Sequence, residues 1–350
     1  MPSFGNDWHC GPLITNLNKP FVRMFDIRNH KSVTISPIDN LFIEHLFNSF
    51  KNGENKQSQL IPEFLERRFL DGMSGIKTRH FYNNLANFPA DLPSCNYLEI
   101  GTWAGSTLCS NMFKNNINVS AIDNFSWGGL NIKLQFLNNV SRCISLSSNT
   151  DNTLLTNTSV LDNTLLTNTS VLDNTLLTNT SVLDNTLLTN TSVLDNTLLT
   201  NTSVLDNTIN NIPINLFSNL DAKQYNIKLP NEKELQVIDS DSFQVNLEDL
   251  KMKYNLYLYD GDHSYDAHYK ALSYYHTKLS DVFIFVVDDW NIPRVRDATN
   301  RVIKDLNLTT LAECEVIYTH DDTHTSHEGD FATNNFWNGV YAAVLRKSNI

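Results

Sequence analysis

The sequence predicts an α/β protein with a doubly wound sheet, mostly parallel, closing on an antiparallel C-terminal strand. Three observations predict it. Apolar runs of strand length, "YLEIG" (97–101), "INVSAIDNF" (117–125), "YNLYLYDGDHSY" (254–265) and "VFIFVVDDW" (282–290), are separated by stretches of helical spacing. Such alternation implies a parallel sheet with helices on both faces. Two last apolar runs, "CEVIYTH" and "GVYAAVLRK", have no helix between them and read as an antiparallel pair. Together these give a Rossmann-like sheet, preceded by an N-terminal helical region and broken by a repeat insertion.

Taken in order, residues 1–90 form a mostly helical extension or lid, with "NLFIEHLFNSF" and "LIPEFLERRFL" carrying the helical pattern. The sheet domain takes up 91–143 and 224–350. Within it "STLCSNMFKN", "AHYKALSYYHTKL" and "RDATNRVIKDL" read as helices and "ELQVIDSDSF" (234–243) as a further strand. Between the two parts lies an insertion, 144–223, in which "NTLLTNTSVLD" occurs five times unchanged, from 152 to 206. Asn, Thr and Asp are poor helix formers, and apolar pairs recurring every eleven residues would spread around a helix rather than form a stripe. Two readings stay open, a low-complexity insertion or a small β-solenoid with one coil per copy; the first is preferred.

Composition narrows the class. A net charge of −12 disfavours a nucleic-acid partner. No apolar run reaches the length of about 18 residues that a membrane span needs. The opening "MPSFGNDWHCGPL" has neither the basic nor the apolar region of a secretory signal. Cys10, Cys95, Cys109, Cys143 and Cys314 form no CxxC pair and read as reduced thiols. The expectation is a cytoplasmic protein acting on a small molecule, with its oligomeric state left open.

In a doubly wound sheet ligands bind beyond the C-terminal ends of the strands. Glu99, Asp123, Asp260, Asp288 and Asp289 all fall at such ends. The first turn reads Glu99-Ile100-Gly101-Thr102-Trp103-Ala104-Gly105-Ser106-Thr107. It lacks the G-x-G-x-x-G that seats a pyrophosphate on a helix N-terminus. A carboxylate facing the cleft there would attract a cation, such as an amino group or a sulfonium. Asp123, at the end of the second strand, is placed to accept hydrogen bonds from ribose hydroxyls. Structural alternatives stand beside both: Glu99 as a helix-dipole partner and Asp123 as a turn former.

"LEIGTWAGSTL" followed by "AIDNF" resembles the first two motifs of class I S-adenosylmethionine-dependent methyltransferases, and more narrowly their metal-dependent, catechol O-methyltransferase-like branch. The resemblance implies that Gly101 and Gly105 let the backbone approach the methionine end of the cofactor, with Thr102 and Ser106 in the same turn. It implies that Glu99 orients the cofactor and that Asp123 holds its ribose. Asp241 and Ser242 match the adenine-contacting position.

Adjacent strand ends lie about 4.8 Å apart, so Asp260, Asp288 and Asp289 can converge on one hard cation such as Mg²⁺. Here the chain is similar to sugar O-methyltransferases of the macrocin and mycinamicin type. That match implies the three aspartates as metal ligands and His263 as the general base that deprotonates an acceptor hydroxyl. Catechol-type enzymes carry Asp-Asn and a Lys base at these positions, which points away from a catechol.

Three other stretches carry candidate roles. "GMSGIKTRHFYNNL" (72–85) is read as a lid over the cofactor. "WNIPRVRDAT" offers Trp290, Arg294 and Arg296 to an acceptor, the arginines suiting an anionic one. "THDDTHTSHE" carries His320, His324 and His327, either a transition-metal site or, preferably, a polar hairpin loop. Two other functions remain: a nicotinamide-dependent oxidoreductase, which the missing glycine motif disfavours, and a non-catalytic binding or display protein whose repeats are the working part.

Overall fold

Strands buried on both faces read as continuous apolar runs, because helices cover each side of a parallel sheet. In the computed structural model every residue of β6 (Tyr254–Tyr259) is buried, as are the last six of β7 (Leu279–Asp288). The structure describes residues 20–30, 33–62, 72–148, 223–319 and 335–348. The repeats, Cys10 and the trio His320, His324 and His327 lie outside the described residues. The chain divides into two units, residues 1–144 with 219–350, and residues 145–218. The sheet belongs to the first.

The other strands are β1 (Phe21–Asp26), β2 (Asn96–Ile100), β3 (Asn118–Asp123), β4 (Gln224–Lys228), β5 (Glu234–Asp239), β8 (Thr309–Ile317) and β9 (Val340–Arg346). They form one nine-stranded sheet in the order β1-β8-β9-β7-β6-β2-β3-β5-β4. The centre, β5-β3-β2-β6-β7, is parallel throughout, while β9 runs antiparallel to both β7 and β8. This is the Rossmann-like class that the alternation of strands and helices predicts. Two strands were not expected. β1 comes from the N-terminal region read as helical and pairs antiparallel with β8 at one edge; β4 pairs antiparallel with β5 at the other.

The helices are α1 (Pro37–Glu54), α2 (Ile76–Ala86), α3 (Ser106–Met112), α4 (Gly129–Ser148), α5 (Tyr265–Tyr275) and α6 (Pro293–Asp305). Ser36 starts α1 with a capping box: its hydroxyl accepts from Asp39 N, and the Asp39 carboxylate accepts from Ser36 N, before Pro37 at the first helical position. Phe42, Ile43, Leu46 and Phe50 recur at helical spacing and are buried as α1 lies against β7, β8 and β9. Another face of the sheet is covered by α5 and α6, with Ala271, Leu272, Val295 and Val302 in one core with Tyr257, Phe285 and Tyr341. In the stretch 72–85, read as a lid, α2 packs against α1 and α3 with eight of its residues buried. Cys95, Cys109, Cys143 and Cys314 are free thiols, all buried. Among the described residues no helix is long and apolar enough to cross a membrane.

Gly101 marks the point where the chain leaves β2. Its φ is +84°, and a Cβ there would lie 2.0 Å from the carbonyl oxygen of Asp260. The ends of β2 and β6 approach so closely that only glycine fits between them. Gly129 also has a positive φ, +60°, but no atom lies within 4 Å of its Cβ position. Gly101→Ala should therefore cost about 3 kcal/mol or more, combining left-handed strain with overpacking, against about 1 kcal/mol for Gly129→Ala. Denaturant unfolding of the two variants checks this; equal losses would refute the close contact as the cause.

Candidate functional site

Strand order reverses between β2 and β6, where the connections leave the sheet to opposite sides, and a crevice opens there. It forms a cavity of about 780 Å³, within the range of small-molecule sites. Gly101, Thr102, Trp103 and Ser106 line it after β2, and Asp123, Asn124 and Trp127 after β3. Asp241, Ser242 and Phe243 come from the turn after β5, Asp260 and His263 from that after β6, and Asp288 and Asp289 from the end of β7. Met73, Ser74 and Trp337 add to the wall. The cleft thus gathers ten of the sequence-predicted residues from five chain segments.

Of the predicted cofactor, metal and base residues, two are not in the lining. Glu99 is fully buried beneath the turn, where its Oε2 accepts a hydrogen bond from the Tyr97 hydroxyl. Burial pushes its carboxyl up to about 7 against that bond. Gly105 caps α3 in the left-handed region, φ +81°, and a Cβ would sit 2.9 Å from the Phe136 ring. Its glycine is thus required by helix packing, as that of Gly101 is by the neighbouring strand.

Asp123 clasps two turns. Its Oδ2 accepts from Trp103 N at 2.7 Å and its Oδ1 from Phe125 N at 2.6 Å. Both Trp103 and Phe125 have positive φ, 43° and 50°, conformations that need such anchoring. Trp103 and Trp127 lie with ring centroids 5.3 Å apart, and Trp127 is 66% exposed at the mouth. The Ser106 hydroxyl, 5% exposed and on the cleft wall, has no hydrogen-bond partner among the described residues. A polar ligand in the cleft would satisfy it.

Across the cleft, His263 Nε2 lies 2.7 Å from Asp289 Oδ2. A carboxylate can only accept, so the Nε2 proton is held and Nδ1 is left as the basic nitrogen. Atoms of Asp260, His263 and Asp289 able to ligate a metal lie within 4.8 Å of one another. Asp288 stands outside that trio although it lines the same cleft; its Oδ1 accepts from Asp289 N at 2.9 Å. Burial, then the charge of Asp289, pushes Asp288 up to about 8. Burial, then Asp288 and Asp289, pushes Asp260 well above the carboxylate range. His263 is lowered by burial but raised on balance by the Asp289 bond and nearby carboxylates. Near the group, Tyr82 is fully buried, with no partner for its hydroxyl among the described residues. Carboxylates this close fit a divalent cation, whose charge removes the cost of ionising them together.

Of the stretch read as acceptor contacts, Trp290 does not reach the cleft. Trp290 is 1% exposed, stacked on Tyr341 and donating through Nε1 to Glu315 Oε2 at 2.8 Å. Arg296 donates to the Trp290 carbonyl and Arg294 to the His263 carbonyl, at 2.6 and 2.9 Å. Both arginines thus bond backbone, and neither is among the residues that line the cleft. Trp127, Phe243 and Trp337 line the cleft without having been singled out in the sequence. Only "DNFSWGGL", an aromatic before two glycines beyond a strand end, hints at one of them.

No protein-family model and no curated protein matches the chain. Solved structures do. An O-methyltransferase from Bacillus cereus in complex with SAH is 8% identical, with 91% of this chain and 95% of that chain covered and a TM-score of 0.33. Cofactor-bound Rv0187 from MTB is 10% identical, with 92% and 95% covered and a TM-score of 0.36. At such identities and scores neither likeness speaks to chemistry, which must come from this chain's own cleft.

Proposed function

We propose that the chain is an S-adenosylmethionine-dependent O-methyltransferase that uses a divalent cation, Mg²⁺ by preference, and transfers a methyl group to a hydroxyl of a sugar or other small molecule. The observation that carries this is the pairing in one cleft of Asp123, at the end of β3, with Asp260, His263, Asp288 and Asp289 across the switch point. The first half suits a nucleoside with a cationic end; the second suits a cation and a proton acceptor.

Bound S-adenosylmethionine would supply the methyl group, and a cation held by Asp260, Asp288 and Asp289 would lower the pKa of an acceptor hydroxyl. The chain's own residues do the rest. Asp123 accepts from ribose hydroxyls while its backbone bonds keep the carboxylate fixed. Ser106 and Thr102 offer hydroxyls to the polar end of the donor, and Asp241 and Ser242 flank the base. His263 takes the acceptor proton at Nδ1, with Asp289 holding the Nε2 proton in place. Holding donor and acceptor in one cleft supplies much of the acceleration by orientation alone.

Two measurements check the reading. Calorimetric titration should give micromolar S-adenosylmethionine binding, weakened about tenfold or more in Asp123→Ala through loss of charge-assisted hydrogen bonds. NADH run in parallel should not bind; the reverse pattern would favour an oxidoreductase, and binding of neither a non-catalytic role. The second measurement is stability against pH without divalent cations. Asp288 has a folded pKa of about 8 against 3.8 for the free group, so between those values the folded state holds a proton that the unfolded state has released. Its contribution is full below about pH 4 and lost as pH rises through about 8, and Glu99 adds in the same direction. Melting temperature should fall from pH 5 to 8, fall less in Asp288→Asn, and recover in the wild type with Mg²⁺. An Asp288→Asn protein less stable than wild type at pH 8 would show that the carboxyl is not the source of the loss.

A further inference from the structure

The cleft side of Asp289 faces His263; its other side leads into the protein along a chain of amides whose direction is fixed. Asn291 Oδ1 lies 2.8 Å from Tyr318 N and 3.4 Å from Thr319 N. Backbone N–H groups only donate, so that atom is the oxygen and the Asn291 amide nitrogen points the other way. It donates to Asn338 Oδ1 at 2.8 Å. The Asn338 nitrogen then has one orientation left, and it donates to Asp289 Oδ1 at 2.6 Å. Asn291 N also donates to the Asn338 carbonyl at 3.1 Å, locking the two residues by backbone as well as side chain.

Both asparagines are 0% exposed. Space around them is tight: a Cβ on Gly339, φ +88°, would lie 2.8 Å from Asn291 Oδ1. Asp289 itself has φ +54°, a conformation that non-glycine residues rarely adopt. A carboxylate so held can rotate little. Its Oδ1 is committed to the interior and only Oδ2 is presented to His263.

We propose that Asn338, oriented through Asn291, is the positioning residue that sets the carboxylate of Asp289 and through it the tautomer of His263. The relay runs from the backbone after β8 through Asn291, Asn338 and Asp289 to the imidazole. This rests on the reading of His263 and Asp289 as working residues of the cleft. It extends that reading to two buried amides that touch neither donor nor acceptor. Such outer partners typically change metal affinity or activity by about 10–100-fold when removed.

The test uses the full chain, labelled with ¹⁵N-histidine, as wild type, Asn338→Ala and Asn338→Asp. The aspartate variant keeps the shape but puts a carboxylate against Asp289, so it still reports if the alanine variant fails to fold. Long-range ¹H–¹⁵N spectra at fixed pH 8 read the His263 tautomer, its signal identified by its absence in His263→Gln. Wild type should show the Nε2-protonated form, and both variants a mixture; an unchanged tautomer in each folded variant overturns the proposal. Mn²⁺ binding followed by electron paramagnetic resonance is the second readout, expected to weaken about tenfold in Asn338→Ala. Wild type that binds no Mn²⁺ would sink the cation reading above, while the tautomer would still decide this one.

Discussion

Burial and mutual repulsion push Glu99, Asp260 and Asp288 toward their protonated forms, and much of the sheet's C-terminal edge is organised around that conflict. Other buried or half-buried acids in this chain are treated differently. Asp39 is 1% exposed and meets Arg346 Nη1 at 2.6 Å. Asp239, which ends β5 beside Asp123, meets Lys133 Nζ at 2.8 Å. Glu313 and Glu315 share Arg23 at 2.8 and 2.6 Å. Among the described residues no lysine or arginine pairs with Glu99, Asp123, Asp260 or Asp288. Structural acids met by the chain's own cations, beside four acids at the strand ends that meet none among the described residues, support the proposed cation site.

Topology explains why those four meet. Parallel strands all point their C-terminal ends the same way, so a polar residue ending each apolar run lands on one edge whatever the loops do. Register then decides the spacing. Glu99 is level with Ala121 on β3 and Leu258 on β6, which puts it one layer below the ends that carry Asp123 and Asp260. That single step places Glu99 in the floor rather than in the lining.

In the sequence, Asp123, Asp260, Asp288 and Asp289 were legible because strand period and the strand-end rule locate them without any tertiary knowledge. The burial of Glu99 was not, since it depends on how deeply α3 and Tyr97 cover the turn. β1 and β4 are not legible because they lie at the sheet's edges, half-buried or exposed along most of their length, and so lack the continuous apolar run of the central strands. Trp290 looked exposed beside an acidic pair; only the passage of β9, with Tyr341, beside it makes it core. Asn338 and Asn291 are 47 residues apart in sequence, and nothing local announces that they share two hydrogen bonds.

Rigidity is distributed unevenly across the cleft, and the pattern follows the division of tasks. Asp123 is pinned by two backbone amides, and Asp289 by a buried amide relay. On the proposed reading each holds a group whose direction matters: a ribose in one case, the His263 imidazole in the other. Asp288 has a backbone bond to the next residue, and Asp260 is set by its place beyond β6, where Gly101 brings the two strand ends together. On that reading these carboxylates would gain further order from a bound cation, because coordination fixes oxygens more firmly than a lone hydrogen bond can. On the same reading, Asp123 and the His263-facing oxygen of Asp289 also have to orient a ribose and an imidazole, and the fold orders them in advance. The left-handed residues and buried amides therefore sit behind the two carboxylates whose direction counts.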